Sequence, residues 1–277
     1  MAAKRDRVAP LLRAFSLLDG IVAADHPLTL AEVATQSGLP NPTVYRMLAT
    51  LVNAALLRRE PDGKRVSAGP ALTRLALNVM LNAGARERSR AILQALVAEI
   101  GETCNLTMLD GPEVVYLDRV ESAWPLRVSL HPGSRVPLHC TASGKLLLAL
   151  LPTARRKRLL ASLTLDRHTE RTLTNPRKLE AELTRIRREG SSVDDQEFMT
   201  GLVCVAAPVA LPSGRVVASV AVHAPVARMP LPRALMHLPA LKRAAGAIGA
   251  TFAEGAGQRP LKRSKTLPRC SAETAFS

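Results

Sequence analysis

The chain has 277 residues, of which 47% are hydrophobic and 22% are charged, a composition that predicts a folded protein. Its formal net charge of +15 favours a polyanionic partner, most often nucleic acid and less often an anionic membrane. An Arg-rich surface without such a partner is the plainer interpretation of the same charge. No apolar run approaches the roughly 18 residues of a membrane span, and the charged start MAAKRDRVAP is not followed by a signal-peptide core, so we expect a cytoplasmic protein without a membrane partner.

Residues 1–70 open with two predicted helices. In the first, LLRAFSLLDGIVA, apolar side chains recur at helical spacing and predict one buried face, formed by Leu11, Phe15, Leu18 and Val22. The second lies in TLAEVATQSG. There Thr29 and Glu32 have the spacing of a capping box, and Gly38 is a typical helix stop.

A third helix is predicted in SGLPNPTVYRMLATL, after the link Gly38-Leu39-Pro40-Asn41. Asn41 is its predicted cap, and Pro42 suits the first helical position. Its buried stripe is predicted to be Val44, Met47, Leu48, Leu51 and Val52. Two short strands around the turn Pro61-Asp62-Gly63 follow in LLRREPDGKRVSAGP. Helices and a hairpin in this order are the pattern of a winged helix-turn-helix domain.

The outward positions of the third helix and the tip of the hairpin carry groups suited to DNA. The candidate DNA-binding residues are Asn41, Thr43, Tyr45, Arg46, Thr50, Lys64 and Arg65. The guanidinium of Arg46 can donate two hydrogen bonds to a guanine edge or a phosphate, and Tyr45 can reach a phosphate. Lys64 and Arg65 can neutralise phosphates from the wing. The predicted partner is therefore a double-stranded DNA operator. The same residues would also fit a three-helix packing module in which Arg46 is only a solvated surface residue.

Helical sequence continues from Ala71 to about Ile100, with a break near Asn82. Its first part, ALTRLALNVML, is apolar on more than one side, and a small winged domain cannot bury such a helix alone. We therefore predict a linker helix at residues 71–85 and at least a homodimer.

Residues 86–254 predict a second domain with strands and helices. Strands are expected in TCNLTML and EVVYLDRVE, and again in LVCVAAPVAL and RVVASVAVH, each pair around a turn. Between them lie a loop from Trp124 to Pro137 and helices in SGKLLLALLP, TARRKRLLASL and NPRKLEAELTRIRREG, and a last helix covers about Pro232 to Phe252. Residues 255–277 are basic and are expected to form a disordered tail.

Two polar segments of this domain predict a cavity for a small molecule. In PLHCTASGK, a polar stretch stands at a helix start, where free backbone N–H groups and the helix dipole favour an anion such as a carboxylate. VDDQEFMTGLVCVAAPV adds the adjacent carboxylates of Asp194 and Asp195, a glycine and a cysteine that enters an apolar strand. Polar groups that converge at strand and helix ends are typical of a ligand cavity.

These two segments, together with SGLPNPTVYRMLATL and DGKRVSAGP, resemble the IclR family of bacterial transcription regulators, over nearly the whole chain to about Phe252. The resemblance implies an α+β subunit: an N-terminal winged helix-turn-helix joined by a linker helix to a GAF- or profilin-like α/β effector domain with a mainly antiparallel sheet. It also implies a homodimer or homotetramer whose effector is a small organic acid.

The resemblance implies the following effector-binding residues: Ala142, Ser143, Asp194, Cys204, Ala221 and His223. The chain departs from the family at the last two, where some members have small polar residues that bind the ligand. Ala221 lacks a hydroxyl, and His223 adds bulk. A protonated His223 would favour a dianionic ligand. Each position also has a structural interpretation, with Cys204 in the core, His223 in the core or at its rim, and one of Asp194 and Asp195 capping a turn.

Other functions remain open for the same residues. A metal-responsive regulator would use His139, Cys140, Cys204, Asp194 or His223, although no short ligand spacing supports it. An enzyme would pair Cys140 with His139, or Cys204 with His223, as nucleophile and base, but TASGK matches neither a nucleophile elbow nor a phosphate-binding loop. A nonspecific basic scaffold is supported only by the tail. We therefore predict a regulator with no catalytic residue and no cofactor.

Overall fold

The computed structural model describes residues 9–24, 26–81, 83–124 and 130–256. Its N-terminal part consists of helices α1 (Ala9–Ala23), α2 (Leu30–Ser37) and α3 (Asn41–Asn53) and strands β1 (Leu28–Thr29), β2 (Leu57–Arg59) and β3 (Arg65–Ala68). The strands form one antiparallel sheet in the order β1-β3-β2. This is the predicted winged helix-turn-helix arrangement, to which β1 adds a short strand that the sequence did not indicate.

Local hydrogen bonds fix the ends of α2 as predicted. The Thr29 hydroxyl accepts a hydrogen bond from the Glu32 N–H, and the Glu32 carboxylate accepts one from the Thr29 N–H at 2.7 Å, which closes the capping box. Gly38 ends the helix with φ 65°, a conformation that glycine adopts without strain. The prediction that Asn41 caps α3 is wrong. Pro40 already supplies the extended residue before the helix, so Asn41 is the first helical residue.

The buried face of α1 differs from the prediction. Leu17, Leu18 and Ile21 are buried in the core that α1 shares with α2 and α3. Three of the four predicted core residues are instead exposed: Leu11, Phe15 and Val22. Because α1 is apolar on two sides, periodicity alone did not decide which side meets α2 and α3.

Two helices connect the winged domain to the rest of the chain. Helix α4 (Pro70–Leu81) ends where a break was predicted, and α5 (Ala83–Ile100) follows. Helix α4 has no buried residue, and its Leu75 and Val79 are 55% and 56% exposed. Leu72 and Met80 of this helix pack against the two apolar cores, whereas Leu75 and Val79 lie uncovered within the described part of one chain.

The C-terminal part is built on a six-stranded antiparallel sheet in the order β6-β5-β4-β9-β8-β7. The strands are β4 (Thr103–Asp110), β5 (Glu113–Val120), β6 (Arg135–Pro137), β7 (Ser192–Asp195), β8 (Leu202–Ala210) and β9 (Val216–Pro225). The two predicted hairpins are β4-β5 and β8-β9. Strand β6 falls in a predicted loop, of which residues 125–129 lie outside the described residues, and β7 falls in the acidic segment.

Five helices complete this part: α6 (Ala142–Leu150), α7 (Thr153–Ser162), α8 (Pro176–Glu189), α9 (Leu231–Met236) and α10 (Leu238–Ala256). The last predicted helix is therefore two helices, which meet at His237. Helix α10 includes the first two residues of the predicted tail, and residues 257–277 lie outside the described residues. Among the helices described, none has both the length and the apolar composition needed to cross a membrane.

Helices cover both faces of the large sheet. Helices α5 and α10 pack on one face, where Leu93 and Leu241 belong to the same apolar cluster as alternate residues of β8 and β9 such as Val205 and Val222. Helices α6 and α8 lie on the other face. Since side chains alternate along each strand, the residues between those apolar ones point towards α6. This second face carries the polar side chains that form the site described next.

Candidate functional site

Helix α3 presents a polar face away from the core of the winged domain. Val44, Leu48 and Leu51 are buried beneath it. The predicted DNA-binding residues on this helix lie on the opposite side: Asn41, Tyr45, Arg46 and Thr50 are exposed, and Thr43 is half-buried. An exposed aromatic ring and a guanidinium on one helix face are groups that contact phosphates and base edges.

The two predicted wing cations differ in their surroundings. Asp62 accepts hydrogen bonds from the backbone N–H groups of Lys64 and Arg65 at 3.0 and 3.1 Å, and from the Arg65 guanidinium at 2.5 Å. The Arg65 side chain, followed by the Lys64 N–H, lowers the pKa of Asp62, so Asp62 stays ionised and offsets the Arg65 charge. No carboxylate in the described ranges forms an ion pair with Lys64, so Lys64 contributes its full charge at the tip.

A cavity that opens to solvent lies between the start of α6 and the large sheet. Five predicted effector-binding residues line it: Ala142, Ser143, Asp194, Cys204 and His223. The sixth, Ala221, does not line the cavity and is buried between the sheet and α6. Two further polar residues that sequence reasoning missed, Asn105 and Tyr116, also line it.

The first turn of α6 forms one wall of the cavity. The Thr141 hydroxyl accepts a hydrogen bond from the Gly144 N–H at 3.1 Å and donates one to the Pro137 carbonyl. The N–H groups of Ala142 and Ser143 come first in the helix and have no intrahelical partner, so they can bind an anion. A Cβ at Gly144 would lie 2.4 Å from the Leu138 carbonyl oxygen, so only glycine permits this close packing.

Hydroxyl groups continue the polar wall from α6 onto the sheet. Ser219 donates a hydrogen bond to the Ser143 hydroxyl oxygen at 2.8 Å, and the Ser219 and Thr107 hydroxyls are 3.0 Å apart. Because the Ser143 oxygen accepts from Ser219, its own proton is available to a ligand.

Asp194 is the last residue but one of β7 and shapes the turn that follows the strand. One of its oxygens accepts hydrogen bonds from the N–H groups of Glu197 and Phe198 at 2.7 and 3.3 Å. Burial raises the pKa of Asp194 to about 7. Asp194 thus both caps a turn, as its structural interpretation predicts, and lines the cavity, as its interpretation as an effector-binding residue predicts. Asp195 instead pairs with Arg171 at 2.5 Å.

Cys204 and His223 lie side by side on β8 and β9. Burial raises the pKa of the Cys204 thiol well above its ordinary value, so it remains protonated. Burial, with a smaller effect of Arg119, lowers the pKa of His223 to about 3. The cationic His223 considered from the sequence therefore does not occur at neutral pH.

Asn105 completes this wall from β4. Its amide nitrogen lies 3.1 Å from His223 Nδ1. The Asn105 Oδ1 and His223 Nε2 atoms are buried, and neither has a hydrogen-bond partner among the described residues. A lone amide in the apolar strand TCNLTML was the sequence feature that could have revealed Asn105.

A buried lysine supports the cavity from behind. Lys145 of α6 is 1% exposed, and its ammonium group contacts the carboxylates of Glu197 and, at 3.5 Å, Glu182. It thereby connects α6, α8 and the turn that follows β7. Sequence reasoning missed Lys145, although a single cation in the run SGKLLLALL was an available sign.

The predicted metal-binding residues separate into two places. His139 and Cys140 come together with His168, and one candidate ligand atom from each lies within 4.8 Å of the others. Asp194, Cys204 and His223 line the cavity instead. Within the described ranges, the His139–Cys140–His168 cluster is the one set of three such side chains that lies this close together. Its nitrogen and sulfur atoms are donors that suit zinc.

A winged helix with an aromatic and basic outer face, in one chain with a domain whose cavity is lined by apolar and a few polar side chains, defines a transcription regulator with an effector domain. Residues 10–61 match the family model described as the IclR helix-turn-helix domain, and residues 77–250 match the one described as bacterial transcriptional regulator IclR C-terminal. The chain belongs to the IclR family of transcriptional regulators.

Individual relatives agree with this assignment. The chain is 48% identical to the "Probable transcriptional regulator SauR" of Cupriavidus necator over 89% of its own length and 98% of the relative's. It is 29% identical to the transcriptional repressor IclR of Escherichia coli, over 80% and 82% of the two chains. The crystal structure of Thermotoga maritima IclR is 30% identical, with a TM-score of 0.59 over 89% of this chain and 99% of that one. These relatives are named as regulators rather than enzymes.

Proposed function

We propose that the protein binds a specific DNA operator through α3 and the wing, and that a small organic acid in the cavity changes this binding. The observation that carries the proposal is that two residues lining the cavity, Asn105 and His223, each have a buried hydrogen-bonding atom without a partner among the described residues. Buried polar groups are normally satisfied, so a cavity that leaves them unpaired is suited to a polar ligand. In a DNA-binding regulator, such a ligand acts as an effector.

The acid's carboxylate is placed at the start of α6. There the N–H groups of Ala142 and Ser143, the Ser143 hydroxyl and the positive end of the helix dipole all favour negative charge. Asp194 and Cys204 then contact the remainder of the ligand. Both groups are protonated or close to half-protonated at neutral pH, so they can donate hydrogen bonds to it.

DNA binding is assigned to Tyr45, Arg46 and Thr50 on α3, with Asn41 and Thr43 at its start and Lys64 and Arg65 on the wing. A second copy of the chain is expected to cover the exposed apolar side chains of α1 and α4, which include Phe15, Leu75 and Val79. A homodimer, or a homotetramer built from dimers, would match a two-fold operator. Because the proposed partner is operator DNA, we expect the protein to act in the cytoplasm.

The experiment has two stages. Full-length protein first selects a tight-binding duplex from a random DNA library, and that duplex is then titrated with protein in the presence of a panel of small carboxylic acids. We expect at least one acid to change the operator affinity about fivefold or more, in the usual range of allosteric coupling. The same acid should raise the thermal midpoint of the protein. A panel with no effect in either measurement would contradict the proposed effector site.

A metal-responsive regulator is the second candidate, and the His139–Cys140–His168 cluster is what favours it. The Nε2 atom of His139 lies 2.9 Å from the Asp166 carbonyl oxygen, a contact that would leave Nδ1 for a metal. The test is zinc titration of the chelator-treated protein, followed by DNA binding, with His168→Ala as the variant. Zinc that binds stoichiometrically and changes operator affinity in the wild type alone would favour this function over the organic-acid one.

A further inference from the structure

We propose that Asn105 and His223 form an uncharged recognition pair, which selects an effector that carries a neutral hydroxyl group, rather than a second acid group, away from its carboxylate. The inference rests on the proposed function, because it specifies the chemistry that the same cavity recognises.

The strand register explains why these two residues meet. On the antiparallel pair β4-β9, Asn105 lies opposite Ala221, and His223 is two residues further along β9 on the same face. The small side chain of Ala221 leaves the diagonal between Asn105 and His223 open, and their nitrogen atoms approach to 3.1 Å. The departure at Ala221 thus gives Asn105 room to reach His223, although Ala221 itself does not line the cavity.

The hydrogen bond between the two side chains determines what they offer a ligand. If the Asn105 NH₂ donates to Nδ1 of His223, then Nε2–H is a free donor and Oδ1 of Asn105 a free acceptor. If the amide is turned and the tautomer exchanged, the Asn105 NH₂ is the donor and Nε2 the acceptor. In both arrangements the pair presents one donor and one acceptor. A hydroxyl group matches both functions, since it donates and accepts.

The charges around the pair disfavour an anion at this position. His223 is neutral, and it lies beside Cys204, which in turn lies opposite Asp194 on β7. A second ligand carboxylate here would share the cavity with Asp194 and with the protonated thiol. The nearby buried guanidinium of Arg119 is 3.4 Å from Glu121, which offsets its charge. A neutral hydroxyl avoids the cost of taking a second charged group out of water beside Asp194. An unsubstituted carbon, in contrast, leaves the polar atoms of Asn105 and His223 unpaired.

Two matched series of acids test the proposal on the wild-type protein. One is butanoate, 4-hydroxybutanoate and butanedioate, and the other is benzoate, 4-hydroxybenzoate and benzene-1,4-dicarboxylate. Dissociation constants are measured by calorimetry on the full-length protein at pH 7. In at least one series we expect the hydroxy acid to bind about tenfold or more tightly than both analogues, because a site built to bond a hydroxyl rejects ligands that lack it.

Two variants assign the preference to the pair. His223→Phe keeps a ring without nitrogen, and Asn105→Leu keeps the volume without the amide. Each should reduce the hydroxyl preference, which is the ratio of the two dissociation constants measured on the same variant, to about threefold or less, because the variant no longer leaves a buried polar group unpaired beside the unsubstituted acid. Thr103→Val is the control, since Thr103 lies opposite His223 on the same face but bonds to Ser122 and does not line the cavity.

The possible outcomes distinguish the recognition pair from the effector site. A wild-type protein that binds the hydroxy acid no more tightly than its analogues overturns the recognition pair but leaves the effector site in place. The recognition pair is likewise overturned if both folded variants keep the full hydroxyl preference. If no acid of either series binds, the proposed effector function fails together with the pair. The wild-type series alone remains decisive if a variant does not fold.

Discussion

Lys145 on α6 donates a hydrogen bond to the carboxylate of Glu197 in the turn after β7, and both side chains are buried. The same turn is held from two other sides, since the Glu197 N–H binds Asp194 and its carbonyl accepts from the Thr172 hydroxyl at 2.7 Å. The ion pair therefore fixes the segment that positions Asp194 against the start of α6. Two elements that are distant in sequence form one rigid wall of the cavity.

The first prediction concerns this pair. Lys145→Met should lower the free energy of unfolding by about 3–5 kcal/mol, because it leaves the buried Glu197 carboxylate without its cation. Urea unfolding is followed by the fluorescence of Trp124, the single tryptophan of the chain. The double variant Lys145→Met/Glu197→Leu should recover part of the loss, since an apolar pair replaces both charges. A Lys145→Met protein as stable as wild type would show that the pair contributes nothing to the fold.

Elements fixed by neighbouring residues were predictable from the sequence. The capping box of Thr29 and Glu32 and the stop at Gly38 depend on contacts within a few residues, and the structure has them in place. The buried stripe of α3 likewise follows from helical spacing. The α1 face was not predictable, because two apolar faces are available and only tertiary packing selects one.

The cavity was predictable only in part, for a related reason. The α6 start and Asp194 belong to local patterns of polar residues at helix and strand ends. The Asn105–His223 contact joins residues separated by 118 positions, and it depends on the register of β4 against β9. Lys145 escaped notice because lysine is rarely buried without a partner, and its partner Glu197 becomes apparent only in the folded chain.

The second prediction tests α3 as the helix that reads DNA. Arg46→Ala should weaken binding to the selected operator by about 1–3 kcal/mol and relax specificity at one base pair, if its guanidinium binds a base edge. The measurement is a DNA titration at moderate salt with single-base operator variants. Arg177→Ala, which removes an exposed arginine from α8, is the control for charge alone. Equal operator affinity in Arg46→Ala and wild type would contradict this placement of the helix.

The third prediction separates the two wing cations. Lys64→Ala should reduce the slope of log affinity against log salt by about one unit, because one phosphate contact is lost. Arg65→Ala should change it less, since Asp62 already offsets the Arg65 charge. Operator and random DNA should weaken alike in both variants. An unchanged slope for Lys64→Ala would show that the tip of the wing does not contact a DNA phosphate.

The fourth prediction concerns assembly. Light scattering at micromolar concentration should give at least a dimer for the wild type, and Leu75→Asp/Val79→Asp should reduce its mass, because the change places charges on the exposed apolar face of α4. Met236→Asp is the matched control, since Met236 is 77% exposed on α9. A wild-type monomer that binds the operator with full affinity would exclude the proposed dimer.

The fifth prediction is a pH dependence set by Asp194. Its folded-state pKa of about 7 lies above the ordinary 3.8, so its protonated form stabilises the fold below pH 4, and that contribution is lost as the pH rises towards 7. A bound carboxylate stays ionised throughout this range. Below pH 7 Asp194 can donate a hydrogen bond to the ligand, whereas above pH 7 two anions share one cavity. Effector affinity should therefore fall as the pH rises from 6 to 8, by at most about tenfold per pH unit.

Asp194→Asn separates this effect from the turn. The amide oxygen can still accept from the N–H groups of Glu197 and Phe198, but the group no longer ionises, so calorimetry should give an affinity that changes little between pH 6 and 8. Operator affinity without effector should stay within about 1 kcal/mol of wild type, because the two sites lie in separate domains. Asp195→Asn is the control, since Asp195 pairs with Arg171 and does not line the cavity. If the Asp194→Asn protein retains the wild-type pH dependence, the ionising group lies elsewhere; if it loses operator binding without effector, Asp194 serves the fold rather than the ligand.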